Sequence, residues 1–311
     1  MRYIVYISRI LFGAVFIFSG FVKAIDPLGS AYKFQDYFLA FGTEWMSFAA
    51  LPMAILLSTL EFIIGMGVLF GIKMRWSAWG ALLFMAFFTP LTLYIAITDP
   101  VPDCGCFGDA IIISNWETFY KNVVVLAAAI IVFLYRKQIK PPWSKTIDHA
   151  LMILVTAGIL LLSAYCLRNL PIIDFRPWKV GNDVEIGFFY IEDEFGEDLT
   201  DQYLSEPGYV FMVIAHDLHR TNTRAFHETI TPLAREARQH GHLFIALTGS
   251  TVYAIEEFRH EHQTPYPFYL SDDIELKTII RSNPGLVLIK DGVIKGKWAH
   301  RNIPTFEEIF R

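Results

Sequence analysis

Charge is what this sequence has least of. Only 18% of its 311 residues are Asp, Glu, Lys or Arg, against about 25% in an ordinary soluble domain. The deficit sits in one half. Residues 1–170 carry 12 Lys and Arg and 9 Asp and Glu, whereas residues 171–311 carry 14 and 22, with eight of the nine histidines. That split excludes a single soluble domain and describes a membrane half joined to an acidic water-soluble half. No basic cluster is present to grip a phosphate backbone, so nucleic acid is not an expected partner. Cysteine is nearly missing too, with three in all and none after Cys166. The acidic half therefore has no thiol of its own for exchange chemistry. Low-complexity tracts are also missing, as are the internal repeats on which many carriers are built.

What is present begins with five apolar runs, at residues 4–22, 48–71, 76–97, 119–135 and 150–167. Each is close to the roughly 20 residues a bilayer span needs. No small-x-small site follows the first run, so it reads as a retained span and not a cleaved leader. Arg2, Lys73, Arg75, Arg136, Lys137, Lys140 and Lys145 all fall on one side of this arrangement, and residues 99–118 on the other side contain no Lys or Arg. The positive-inside bias makes the N-terminus cytoplasmic and puts residues 99–118, and everything after 168, on the outer face of a bacterial inner membrane. The lipid bilayer is thus the first expected partner.

The outer loop holds Asp103-Cys104-Gly105-Cys106-Phe107-Gly108-Asp109, two of the three cysteines in a glycine-rich turn. Cys166, at the end of the fifth run, belongs near the same face. Paired thiols outside the cytoplasm tend to oxidise. A Cys-x-Cys ring has little freedom to relax, and strained disulfides are the labile or catalytic ones. Cys104 and Cys106 are therefore candidate catalytic thiols, with Cys166 as a third that exchanges with them. The alternative is a structural staple with Cys166 inert. Two sulfurs with no nearby histidine are too few for a metal. Glu61 is the other singular residue, an ionisable group in mid-span and a functional candidate for that reason. Its possible partners are Arg9, Lys23, Lys121 and Asn122. They would serve either a proton path and a quinone headgroup or an ion pair that fixes packing.

Several of these residues also carry a family resemblance. Ser19-Gly20-Phe21-Val22-Lys23 with Asp26-Pro27, Leu60-Glu61 with Gly65, Phe88-Thr89, and Cys104-Gly105-Cys106-Phe107-Gly108 with Lys121-Asn122 resemble the DoxX/MauE family of small membrane proteins over residues 1–135. The resemblance implies a four-helix transmembrane bundle. Through the MauE branch it also implies a link to disulfide formation, with Cys104 and Cys106 as the redox pair. A quinone acceptor follows by analogy with disulfide-forming membrane oxidases. Arg9, Lys23, Lys121 and Asn122 are the residues expected to hold it, and Glu61 the one expected to handle protons. The fifth span and the long C-terminal extension depart from the family, so its methylamine context does not carry over.

Residues 171–184 read as a linker. Beyond it, residues 185–191, 209–215, 242–247 and 267–270 read as strands, residues 285–290 and 293–299 as a hairpin across Asp291-Gly292, and residues 221–239, 251–261, 274–281 and 305–310 as helices. This order resembles a periplasmic thioredoxin-like domain, with Asn283-Pro284 at the place of that fold's cis-proline. Where the family has Cys-x-x-Cys, this chain reads His216-Asp217-Leu218-His219-Arg220-Thr221-Asn222. His216, Asp217, His219 and His227 read as solvated residues around a helix start, and the pairs His240/His242 and His260/His262 as surface groups. No metal is expected.

The sequence therefore describes a membrane all-α bundle (1–145), a fifth transmembrane helix (146–170), a linker (171–184) and an α/β thioredoxin-like domain without catalytic cysteines (185–311). It supports two functions. One is thiol–disulfide exchange at Cys104-Gly105-Cys106. The other is a non-enzymatic anchor whose outer domain, residues 185–311, binds a periplasmic client protein.

Overall fold

The computed structural model of the chain describes residues 2–139, 143–184, 189–205 and 207–311. It divides into two compact units, Met1–Leu167 and Arg168–Arg311.

The first unit is helical: α1 (Arg2–Ile25), α2 (Pro27–Ala40), α3 (Ala50–Phe70), α4 (Met74–Thr98), α5 (Asn115–Tyr135) and α6 (Lys145–Arg168). Among the described residues five helical stretches are long and apolar enough to cross a bilayer: Arg2–Ile25, Glu44–Phe70, Met74–Thr98, Asn115–Tyr135 and Lys145–Arg168. These match the five runs read from the sequence, with ends displaced by a few residues. Lys140, counted above among the cytoplasmic cations, lies outside the described residues. The helix missing from the sequence reading is α2, taken there as loop. Its start is well specified, since the Asp26 carboxylate accepts from the Gly29 amide at 3.0 Å and Pro27 occupies the first turn.

Lipid offers no hydrophobic push between helices, so their association depends on close fit. Glycine supplies that fit between α1 and α3. A Cβ on Gly20 would lie 2.6 Å from the Phe62 amide nitrogen, and one on Gly65 would lie 2.8 Å from that of Ile17. Phe12, Phe16, Val68, Met85, Val125 and Val132 fill the space where α1, α3, α4 and α5 meet. A capping box, in which Ser114 and Glu117 bond each other's backbone, starts α5 and closes the loop that carries the cysteines. By contrast α6 buries few residues, chiefly Asp148, Ile159, Ser163 and Cys166.

The second unit is a five-stranded sheet in the order β3-β2-β1-β4-β5. Its elements are α7 (Thr200–Leu204), β1 (Tyr209–Ile214), α8 (Thr223–Ala225), a π-helical turn (Phe226–Ile230), α9 (Thr231–Gln239), β2 (Leu243–Thr248), α10 (Val252–His262), β3 (Phe268–Leu270), α11 (Asp273–Ile279), β4 (Gly285–Lys290), β5 (Val293–Ala299) and α12 (Phe306–Ile309). β1 pairs in parallel with β2, β2 in parallel with β3, and β4 runs antiparallel to both β1 and β5. That strand order and those directions are the thioredoxin arrangement. β1 reads as a continuous apolar run because both its faces are covered. Phe211 and Val213 face α8, α9 and α10, while Val210, Met212 and Ile214 face α7, α11 and Trp178. The Asn283-Pro284 bond is cis.

Two expectations need correction. Of the strand read at 185–191, residues 185–188 lie outside the described residues, and Phe189–Ile191 are not strand. Glu192 instead makes isolated bridges to Asp198 and Leu270. The segment read as a linker is part of the second unit's packing. Trp178 is 1% exposed, and Asp174 accepts from Arg176 at 2.8 Å and from Lys297 on β5 at 2.7 Å. An aromatic and a buried ion cluster hold these residues down, where a spacer would have small solvated ones.

Candidate functional site

The site is assembled in the first unit, at the end of the bundle where α1 finishes and α2 begins. The Cys104 and Cys106 sulfurs lie 3.1 Å apart, in hydrogen-bonding contact and not bonded. Their loop is turned by Gly105 and Gly108, both with positive φ. The Gly105 amide donates to Asp103 at 2.9 Å, and Asn115 at the start of α5 donates to Asp99 and the Val101 carbonyl. From the other side α2 reaches over it. Lys33 pairs with Asp103 at 2.7 Å, and the Tyr37 hydroxyl donates to the Cys104 carbonyl at 3.2 Å.

Beneath the loop lies the charge read from the sequence. Both Glu61 oxygens accept from Lys23 Nζ at 2.8 Å, with side chains only 8% and 7% exposed. Ser19 Oγ sits between the layers. It accepts from Lys23 at 3.0 Å and lies 2.9 Å from Glu61 Oε2 and 2.7 Å from the Cys106 carbonyl. Its single proton can go to only one of the two. The Cys106 backbone carbonyl is thus linked to the Lys23–Glu61 pair through Ser19, two hydrogen bonds away. Lys121 stands over the Phe107 ring at 4.3 Å, and Asn122 donates to Thr92 at 3.1 Å.

These groups surround a cavity of about 460 Å³, within the range that holds a small organic molecule. One end is polar, with Cys104, Cys106, Lys23, Glu61, Lys121 and Tyr37; the rest is lined by side chains such as Phe34, Phe38, Phe84, Phe87, Phe88 and Leu57. The two thiols are made unequal by their surroundings. The hydrogen bond from Cys104, helped by Lys121 and Lys23 against the opposing effect of burial, holds Cys106 down at about 6. The same contact and burial push Cys104 up. The two directions favour a thiolate on Cys106 over one on Cys104.

Of the residues singled out from the sequence, Cys104, Cys106, Glu61, Lys23, Lys121 and Asn122 meet at this cavity. Arg9 does not. It donates to the Val68 and Leu69 carbonyls, closing the C-terminal end of α3 at the opposite end of the bundle. Cys166 is buried in the last turns of α6 and is not among the cavity-lining residues. Sequence reading missed Ser19 as a working group, along with Lys33 and Tyr37. The last two became readable only once Asp26-Pro27 is taken as a helix start.

The place where the second unit's fold carries Cys-x-x-Cys is also populated differently from expectation. His216 is half-buried, not solvated. Among the described residues neither of its ring nitrogens has a hydrogen-bond partner, and burial pushes its pKa down to about 4. Asn222 does cap the following helix, accepting from the Ala225 amide at 3.2 Å.

Residues 1–135 match the family model described as methylamine utilisation protein MauE. The match ends before α6 and covers less than half of the chain. Within it fall both cysteines of the loop, the Lys23–Glu61 pair and every cavity-lining residue. A crystal structure of a cysteine-to-serine mutant of Xylella fastidiosa PrxQ is similar at 10% identity, covering 40% of this chain and 88% of that one, with a TM-score of 0.30. The fold assignment of the second unit rests on its strand order and directions, not on that neighbour. No curated protein matches the chain.

Proposed function

We propose that the membrane unit is a thiol–disulfide redox site in which Cys104 and Cys106 pass an electron pair to a quinone held in the cavity. The observation that carries this reading is the dithiol, 3.1 Å between sulfurs, at the polar end of an otherwise aromatic and aliphatic cavity. The quinone ring would lie at the polar end and its apolar tail among the phenylalanines. In the step itself the dithiol loses two electrons and becomes a disulfide, and the quinone gains them with two protons and becomes a quinol. One proton comes from the Cys104 thiol. Cys106 reacts as the thiolate, so the second comes through Ser19 and the Lys23–Glu61 pair, which water then recharges. A client dithiol later reduces the disulfide and leaves as a client disulfide. The charge bias of the short loops supports an N-terminus in the cytoplasm and thiols on the outer face of a bacterial inner membrane. The second unit, without cysteine, then has recognition of the client as its task.

Thiol trapping in intact cells tests this. Cys104 and Cys106 should be oxidised in respiring cells and accumulate as the dithiol when respiration is inhibited. Cys104→Ser and Cys106→Ser should each abolish the change and lower client oxidation at least 100-fold. Sulfurs that stay reduced under both conditions, with client oxidation intact in the variants, leave the chain as an anchor that binds its client without chemistry.

A further inference from the structure

The second unit brings together two histidines that the sequence holds 35 positions apart. His227 lies in the π-helical turn Phe226–Ile230, and His262 ends α10. His227 Nε2 and His262 Nδ1 are 3.2 Å apart. Two imidazole nitrogens on one tetrahedral zinc, each bonded at roughly 2.0–2.1 Å, are separated by about 3.3 Å. The pair therefore already has the spacing that a shared ion needs.

The surroundings of the two rings differ. His262 is held in place, its ring 4.4 Å from that of Phe258 in an edge contact, with the side chain 12% exposed. His227, in contrast, is exposed, which leaves the outer side of the pair open. It lies in a π-helical turn, and such turns recur at functional sites. The Glu261 carboxylate, 4.0 Å from His262 Nε2, is beyond hydrogen-bond reach.

We infer that His227 and His262 form the protein half of a site for a divalent transition ion of the nitrogen-preferring class, Zn²⁺ or Cu²⁺. Among the described residues no third His, Cys, Asp or Glu completes a cluster, so two coordination positions are left to water or to a donor brought by a partner. The inference concerns the second unit and does not depend on the redox reading of the first.

The test uses the full chain in detergent, stripped of metal and with accessible thiols alkylated so that sulfur does not compete, titrated calorimetrically with Zn²⁺. One equivalent should bind. His227→Gln and His262→Gln should each weaken that site at least 10-fold, while His219→Gln, at another exposed histidine, should leave it unchanged. With Cu²⁺ the paramagnetic spectrum should carry the splitting of two imidazole nitrogens, and of one in His227→Gln. His227 is exposed, so its replacement does not threaten folding and keeps the test decisive should His262→Gln unfold. Equal Zn²⁺ binding in wild type and His227→Gln, or no saturable binding in the wild type, overturns the inference and makes the pair a hydrogen bond only.

Discussion

Polar groups withdrawn from water are treated differently in the two units. In the bundle, Lys23 is bonded to both Glu61 oxygens and to Ser19, and Ser19 lies within reach of Glu61 and of the Cys106 carbonyl. At the head of β1 in the sheet unit, His216 is shielded with both nitrogens unmatched among the described residues. A second buried ion cluster, Asp174 with Arg176 and Lys297, shows that the sheet unit can also pair charge. It does so beneath its N-terminal segment, through Lys297 on β5. The comparison teaches that burial of charge alone does not mark chemistry. What separates the Lys23–Glu61 pair from the Asp174 cluster is the cavity and the two sulfurs beside it.

The largest effects should come from breaking these two ion clusters and asking which breach reaches the thiols. Lys23→Met leaves Glu61 buried and unpaired, and removing one partner of such a pair costs about 3–5 kcal/mol. Replacing both, as Lys23→Met with Glu61→Leu, should recover most of the loss in denaturant titration of the detergent-solubilised chain. Lys297→Met should cost a similar amount. Thiol oxidation is where the two should part. It should fail in the Lys23→Met/Glu61→Leu double variant although stability has returned, and survive in Lys297→Met. Normal oxidation in the double variant would make Lys23–Glu61 another packing pair.

A smaller effect is expected at His216, where the sign can be worked out. Burial lowers its folded pKa from 6.5 to about 4, so between those values the unfolded chain binds a proton that the native chain refuses. Stability should therefore be full above pH 6.5 and fall as the pH drops towards 4, by roughly 2 kcal/mol at pH 5. His216→Phe should remove that slope. Hydrogen exchange of the β1 amides in the full chain, corrected for intrinsic rates, reads it directly. An unchanged slope in the variant would mean that His216 is hydrated, and that the contrast between the units is smaller than the geometry implies.

How much of this was legible beforehand depends on how local each signal is. The hairpin across Asp291-Gly292 and the central strand could be read almost to the residue, because turn chemistry and a continuous apolar run are local. The five spans could be read from length and hydropathy alone. Glu61 was conspicuous as a lone charge in a span, but its choice of Lys23 over Arg9 was not. That choice is made by register between α1 and α3, where Gly20 and Gly65 set the approach. Tyr37 and Lys33 were missed because α2, at 14 residues, is too short for a span, and a short helix between two spans looks like a loop. The His227–His262 contact was invisible for a similar reason. It joins two helices across 35 residues, and no periodicity encodes that.

The finest distinction is between the two lysines that flank the thiols. Lys121 acts on Cys106, whereas Lys33 is already engaged by Asp103, which cancels most of its field at the sulfurs. In the reduced chain the alkylation rate of Cys106 should rise through a midpoint near pH 6 and then level off, because the thiolate is the reactive form. Cys104 should stay slow until much higher pH, since the Cys106 contact and burial push its thiol up. Lys121→Gln should raise the Cys106 midpoint by roughly half a pH unit or more, as loss of a nearby opposite charge requires. Lys33→Gln should move it less. Mass spectrometry of the two alkylated peptides against pH separates the sulfurs. If Lys33→Gln moved the midpoint more than Lys121→Gln, the thiolate would sit nearer α2 than α5, and Cys104 would be the sulfur that reacts first.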